Sequence, residues 1–134
     1  MTALPTEHSE QAALVQRCRY SGYPYELIYA NPNAGKRTIG AARYMIAEGL
    51  TAGIPDLFLP HMRGGYGGLY IEMKMGRNKL TLEQAVCIDN LRAEGYRVEV
   101  CYGQDAAWHV IESYVQGRLV RDMTLKDRIL ERIR

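Results

Sequence analysis

The sequence predicts an α/β domain in which helices flank a mixed β-sheet, with the element order αβαββαβα. Three observations support this. Two apolar runs, residues 56–60 and 68–74, are joined by residues 61–68, which include four glycines, and this is typical of a hairpin. An alternating run follows at 96–102, after a helical pattern at 81–95. A strand, helix, strand crossover beside a hairpin requires parallel and antiparallel pairing in one sheet.

The first half of the chain is expected to contribute two helices and one strand. Residues 7–18 carry an apolar stripe at helical spacing, and either Thr6 or Ser9 could cap this helix. Residues 27–30 form a short β-type run that an Asn-Pro-Asn-Ala-Gly turn closes. Residues 37–50 again repeat apolar side chains at helical spacing.

The second half has the clearest helix signals. Thr81 and Gln84 have the spacing of a capping box, and Gly95 is a typical stop. The next helical pattern, within residues 105–117, places five apolar residues on one face: Ala107, Val110, Ile111, Tyr114 and Val115. Residues 121–134 could form a last, basic helix.

Length and composition favour one domain. The 134 residues are 47% hydrophobic, and the apolar runs are far shorter than the ~20 residues of a membrane span. We predict a domain over 1–117 and a basic tail over 118–134, with six Lys or Arg against three acids. The start of the sequence lacks the pattern of a secretory signal and the three cysteines are widely spaced, so a cytoplasmic protein with reduced thiols is expected.

Three ionisable residues interrupt the apolar strands of the hairpin: Asp56, Glu72 and Lys74. Glu72 and Lys74 are two apart and share one face of a strand, and a hairpin brings Asp56 to the same patch. Two carboxylates in a core repel each other and lose hydration. A divalent cation that prefers oxygen ligands, Mg²⁺ or Mn²⁺, would compensate for both effects.

Such an arrangement is suited to phosphodiester hydrolysis. A divalent ion held by two carboxylates can bind a phosphate oxygen and lower the pKa of a bound water. Lys74, on the same face, would orient the attacking water and stabilise the developing charge. Alternatively, Glu72 and Lys74 could be a surface ion pair and Asp56 could begin a turn.

The segment "GIPDLFL" followed by "LYIEMK" resembles the PD-(D/E)xK nuclease superfamily. The longer run through "LTLEQAVCIDNLRAEGYRVEVCYGQDAAWHVIESYV" is similar to the VRR-NUC family in particular, so the resemblance covers most of residues 10–115. It implies a restriction-endonuclease-like mixed sheet and Mg²⁺- or Mn²⁺-dependent DNA cleavage. On this chain it implies that Asp56, Glu72 and the main-chain oxygen of Met73 bind the metal, and that Lys74 is catalytic.

The resemblance also implies roles for two helical residues. Gln84 matches a glutamine on the helix after the lysine, and Glu10 matches an acidic residue on the first helix that would join the metal site. Both have simpler explanations. Gln84 could act only in a capping box, and Glu10 could only favour a helix N-terminus.

Polar and basic residues outside the motif are candidates to contact DNA. The resemblance places Asn33 and Arg37 in a polar segment before the second helix. Lys36, Arg77 and Lys79 belong to short basic clusters on either side of the expected cleft. They are expected to contact phosphates, or else to form a solubilising surface.

The function that we expect is a structure-selective DNA endonuclease. Stand-alone members of the family resemble Holliday junction resolvases, which implies branched DNA as the substrate and a homodimer with two active sites. The first helix and the glycine-loop hairpin are candidate interfaces. One alternative is a monomeric flap or single-strand nuclease, and another is a non-catalytic DNA-binding module with the same fold.

Overall fold

A computed structural model describes residues 4–32 and 38–117 of the chain. Its helices are α1 (Glu7–Tyr20), α2 (Ile39–Ala47), α3 (Leu82–Ala93) and α4 (Gln104–Val115). Its strands are β1 (Tyr29–Ala30), β2 (Leu57–Leu59), β3 (Leu69–Lys74) and β4 (Arg97–Tyr102). The order is the predicted αβαββαβα, and the predicted tail helix lies outside the described residues.

The four strands form one mixed sheet in the order β1-β2-β3-β4. Strands β1 and β2 are antiparallel, as are β2 and β3, whereas β3 and β4 are parallel. The antiparallel β2–β3 pair is the predicted hairpin, and α3 makes the crossover that parallel strands need. The predicted mixed sheet is therefore confirmed.

The main hydrophobic core lies between one face of the sheet and helices α1 and α4. Alternate residues of β2 and β3 point to this face, as the two-residue period of a strand requires. These strand residues pack with apolar side chains of the two helices, and all of the following are buried: Leu14, Cys18, Leu57, Leu59, Leu69, Ile71, Met73, Cys101, Ala107, Ile111 and Tyr114. This face anchors β3, the strand that carries the candidate site.

Helix α3 packs on the opposite face, mainly against β4. Ile88 is the buried residue of α3, and Val98 of β4 is buried on the same side of the sheet. The capping box at the start of α3 is present as predicted, with Thr81 as the N-cap. The sheet thus has a largely apolar face, which also carries the Arg97–Glu99 ion pair of β4, and a second face that α3 partly covers.

The structure corrects two predicted boundaries. The first strand starts at Tyr29 rather than at Leu27, because Tyr25–Leu27 forms one turn of 3-10 helix. Helix α2 is shorter than the predicted range 37–50 and contributes no buried residue. At α1 the structure selects Thr6 as the N-cap, and Ser9, the other predicted start, lies in the first turn and completes a capping box with it.

The state of the cysteines and the length of the helices bear on two further expectations. The three cysteines are free thiols, with Cys18 and Cys101 buried and Cys87 half-buried. Within residues 4–32 and 38–117, the helices are too short and too polar to cross a membrane.

Candidate active site

The sheet register brings Asp56 and Glu72 together. Leu57 pairs with Ile71, so one further step along both strands places Asp56 opposite Glu72. Oδ2 of Asp56 accepts a hydrogen bond of 2.8 Å from the main-chain N–H of Met73. Directly opposed residues of antiparallel strands share a face. The two carboxyl groups therefore meet on the α3 side of the sheet.

Lys74 and Gln84 complete the group around Glu72. Nζ of Lys74 lies 4.0 Å from Oε1 of Glu72, and Nε2 of Gln84 donates a 3.1 Å hydrogen bond to the same oxygen. Glu72 is 3% exposed and Lys74 is 8% exposed. The structure therefore brings together Asp56, Glu72, Lys74 and Gln84, as the sequence pattern predicts.

Burial and mutual repulsion disfavour the charged forms of the two acids. Burial, followed by the charge of Asp56, raises the pKa of Glu72 from 4.5 to about 8, against the opposing effect of Lys74. Burial also raises the pKa of Asp56, although the hydrogen bond from Met73 opposes the shift. Without a further positive charge, the site is thus unfavourable for two ionised carboxylates.

Gln84 closes the predicted capping box and also contacts Glu72, while its catalytic role stays a prediction. Its Oε1 accepts from the N–H of Thr81 at 3.0 Å, which closes the capping box. Its Nε2 donates to Glu72. An amide has a donor and an acceptor end, so a single glutamine can hold the start of α3 against the carboxylate.

An open cleft of about 320 Å³ lies between the α2–β2 loop and the start of α3, and it leads to the site. Asp56 and Gln84 line it, together with Ile46 and Gly53. The α2–β2 loop approaches α3 closely: a Cβ on Gly53 would lie 2.5 Å from the main-chain carbonyl of Glu83, and its φ is +80°. Glycine is therefore required where the loop forms this wall.

Two acids of the first helix, Glu7 and Glu10, lie in its first turn and have different surroundings. Oε2 of Glu10 accepts a 3.2 Å hydrogen bond from the N–H of Gln104, at the N-terminus of α4. The charge of Glu7, in contrast, contributes to raising the pKa of Asp56. Glu7 also accepts a 2.9 Å hydrogen bond from Asn78. The metal role of Glu10 stays a prediction, and Glu7 is the acid of α1 whose charge acts on the site.

Asn31 is a second residue that the sequence analysis missed. Its N–H donates to the carbonyl of Asp56 and its Nδ2 donates to the carbonyl of Pro55, both at 2.8 Å. These bonds fix the main chain on which Asp56 stands. Its signal in the sequence is its place in the Asn-Pro-Asn turn, of which Asn33 was the predicted functional residue.

The candidate DNA contacts are only partly described. Arg77 and Lys79 are exposed in the loop between β3 and α3. In the same loop, the carbonyl of Asn78 accepts a hydrogen bond from the Tyr102 hydroxyl. Asn33, Lys36 and Arg37 lie outside the described residues. All five stay predictions.

The donor set fits a hard divalent cation that needs few protein ligands. Among the described residues no three His, Cys, Asp or Glu side chains are grouped as a metal site. The pair Asp56 and Glu72 nevertheless supplies carboxylate oxygens, and Oε2 of Glu72 is buried without a hydrogen-bond partner in the described chain. Buried carboxylate oxygens normally have a partner. Mg²⁺ commonly uses one or two carboxylates and keeps several waters.

Comparisons with known proteins agree with this geometry. The sequence model of the VRR-NUC domain matches residues 6–105, which contain the whole candidate site. The chain belongs to the VRR-NUC family. This family is part of the PD-(D/E)xK superfamily, as the resemblance implied.

A solved structure described as a VRR-NUC domain protein has the same fold. It is 29% identical in sequence and superimposes with a TM-score of 0.72, over 84% of this chain and 89% of that one. No curated protein matches the sequence. A VRR-NUC domain is a nuclease domain, so the family assigns a nuclease-type function with DNA as the substrate.

Proposed function

We propose that this VRR-NUC protein is a Mg²⁺- or Mn²⁺-dependent endonuclease that hydrolyses phosphodiester bonds in branched DNA. The observation that carries the proposal is the buried pair of acids, Asp56 and Glu72, which faces Lys74 at the end of an open cleft. Both acids have a raised pKa, so their arrangement is costly to the fold. A costly group of this kind is typical of a functional site.

Asp56, Glu72 and the main-chain oxygen of Met73 would hold the ion. When bound, the ion would supply Lewis-acid stabilisation of the phosphate charge and would make water more acidic. The hydrogen bond from Met73 N–H to Asp56 fixes one carboxylate, and that from Gln84 fixes the other. Preorganised ligands lose little entropy on binding, so these two bonds support the site as a receptor for a cation.

Lys74 has the position of the catalytic amine. Its Nζ lies near Oε1 of Glu72 and its side chain is almost fully buried. A buried amino group has few hydrogen-bond partners, so it can be directed at an attacking water or at a phosphate oxygen. Arg77 and Lys79, exposed on the following loop, would contact the DNA backbone on the way to the cleft.

The decisive experiment is a cleavage assay on linear, flapped and four-way DNA, with Mg²⁺, Mn²⁺ or a chelator. We expect cutting of branched DNA that needs a divalent ion and that Asp56→Asn abolishes. Asp89→Asn is the matched control, because Asp89 is exposed on α3 and makes no contact with the site acids. Cutting by Asp56→Asn, or in the chelator, would reject the metal mechanism.

A four-way junction has two symmetric strands to cut, so we also propose a homodimer. Helix α2 offers the surface: it has no buried residue, and Ile39, Tyr44 and Ile46 are 74%, 72% and 52% exposed. Ile46 also lines the cleft, so a partner there would adjoin the site. We expect a dimer in sedimentation at micromolar concentration and a monomer for Ile39→Glu. A monomeric wild-type chain that cuts flaps would favour the alternative flap nuclease.

A further inference from the structure

Four aromatic residues form a row across the sheet, three on neighbouring strands and one just before β4. Tyr29 of β1 pairs with Phe58 of β2, and Phe58 pairs with Tyr70 of β3. The ring centroids of Phe58 and Tyr70 are 4.3 Å apart, and those of Tyr29 and Phe58 are 5.8 Å apart. Tyr96, just before β4, contacts both Phe58 and Tyr70, with centroids 5.9 and 5.4 Å away. We call Tyr29, Phe58, Tyr70 and Tyr96 the aromatic row.

The aromatic row lies directly beside the candidate site. Tyr70 and Glu72 are two apart on β3, so they share the face on which the acids meet. Phe58 and Asp56 are likewise two apart. The acids and the aromatic row are therefore neighbouring rows on one sheet face, separated by about 6.7 Å of strand. This distance is about two nucleotide steps of a DNA strand.

The aromatic row is fixed in place at its centre and open at its edge. A Cβ on Gly68 would lie 2.6 Å from the Phe58 ring, so the ring packs directly on the glycine main chain. Phe58, Tyr70 and Tyr96 are half-buried, whereas Tyr29 is 50% exposed. The row thus ends in an accessible ring that its neighbours hold in place.

We propose that the aromatic row binds an unpaired nucleobase of the DNA strand next to the bond that is cut. The proposal rests on the proposed function and names its substrate class: DNA with an unpaired or splayed base at the branch. A base must leave its duplex stack to reach the ring, and a branch point already supplies such a base. Stacking tolerates any base, which agrees with selection of structure rather than sequence.

The continuity of the two rows supports a nucleobase as the occupant. A DNA strand with a phosphate beside Asp56 and Glu72 must either continue across this face of the sheet or leave it. The aromatic row presents the kind of surface on which bases stack in proteins that bind single strands. Packing against Phe58 accounts for only part of the Tyr29 surface, since half of this side chain is exposed within residues 4–32 and 38–117.

The test measures binding in the presence of a chelator, so that cleavage does not occur. One duplex carries a single unpaired 2-aminopurine, whose fluorescence decreases on stacking, and a second duplex is fully paired. Tyr29→Ala and Tyr29→Leu remove the ring, whereas Tyr29→Phe keeps it. Tyr23→Ala is the matched control, because Tyr23 is 72% exposed and lies outside the aromatic row.

We expect tighter binding of the unpaired duplex by the wild type, with decreased fluorescence. Tyr29→Ala and Tyr29→Leu should weaken that binding about 5- to 150-fold and leave the paired duplex unchanged. Tyr29→Phe and Tyr23→Ala should match the wild type. Equal affinity of the wild type for both duplexes, unchanged binding by Tyr29→Leu, or equal losses on both duplexes would overturn the proposal.

The result of this binding test can be separated from the result of the cleavage assay. Metal-dependent cutting together with binding that does not depend on Tyr29 rejects the aromatic row and keeps the nuclease. Binding that depends on Tyr29 without any cutting rejects the nuclease and keeps the aromatic row as a DNA-binding surface.

Discussion

The two faces of β3 differ sharply although they belong to one strand. Toward α1 and α4, the strand presents Leu69, Ile71 and Met73, each at most 1% exposed. Toward α3 it presents the half-buried Tyr70, and then Glu72 and Lys74, which are 3% and 8% exposed. Glu72 and Lys74 are therefore nearly as buried as the apolar residues, but the cost of burying them is much higher.

This difference shows which face stabilises the fold and which one is reserved for chemistry. Apolar side chains gain free energy when they leave water, whereas ionised groups lose hydration and need a partner. Lys74 and Gln84 approach Oε1 of Glu72, the carboxyl of Asp56 opposes its ionisation, and Oε2 is buried without a hydrogen bond to the described residues. We therefore expect substitutions on the two faces to change stability with opposite signs.

The largest effect is expected for Glu72→Gln. Cleavage should fall at least about 1,000-fold, because a neutral amide is a poor metal ligand. The unfolding free energy of the metal-free protein should nevertheless rise by roughly 1–3 kcal/mol at pH 8.5, since the buried charge and its repulsion from Asp56 are both removed. Cleavage kinetics and urea unfolding in a chelator measure the two effects. A less stable variant would show that the charge of Glu72 is stabilising.

On the other face, Ile71→Ala should reduce the unfolding free energy by about 2–5 kcal/mol, because it leaves a cavity in the core. Its activity should stay within about threefold of the wild type well below the melting temperature. Urea unfolding and the same cleavage assay make the comparison. A large loss of activity in a folded Ile71→Ala protein would mean that the two faces are not independent.

A pH titration gives the next largest effect. An acid whose pKa rises on folding stabilises the fold fully below its unfolded value, and this stability is lost as pH rises through the folded value. For Glu72 these values are 4.5 and about 8. The melting temperature in a chelator should therefore fall between pH 5 and pH 8.5, and Glu72→Gln should flatten the curve. A melting temperature that rises over this range would contradict the assignment.

The sequence predicted the element order and the proximity of Asp56 to Glu72 because both depend on local spacing. Alternation in residues 69–74 fixes which side chains share a face, and the hairpin then brings Asp56 to Glu72. The cap at Thr81 is equally local. These features need no knowledge of distant contacts.

Features that depend on tertiary packing were not predicted. Glu7 and Glu10 both occupy the first turn of α1, and only the contact of that turn with Asn78 and Gln104 distinguishes their surroundings. Asn31 is similar, because its role depends on pairing with residues 24 and 25 positions further on. The aromatic row also requires the register of three strands, which spacing alone does not give.

The smallest expected effect concerns Gln84, which links α3 to the face of β3 that carries Glu72 and Lys74. Thr81→Ala and Gln84→Ala both break the capping box, so each should cost about 1 kcal/mol of stability. Only Gln84→Ala also removes the hydrogen bond to Glu72, so it alone should slow cleavage, by about tenfold. Thr81→Ala thus serves as the control for the cap. Equal cleavage rates in the two variants would mean that Gln84 acts only in the helix cap. The positions of Asp56, Glu72 and Lys74 would then depend on β2 and β3 alone.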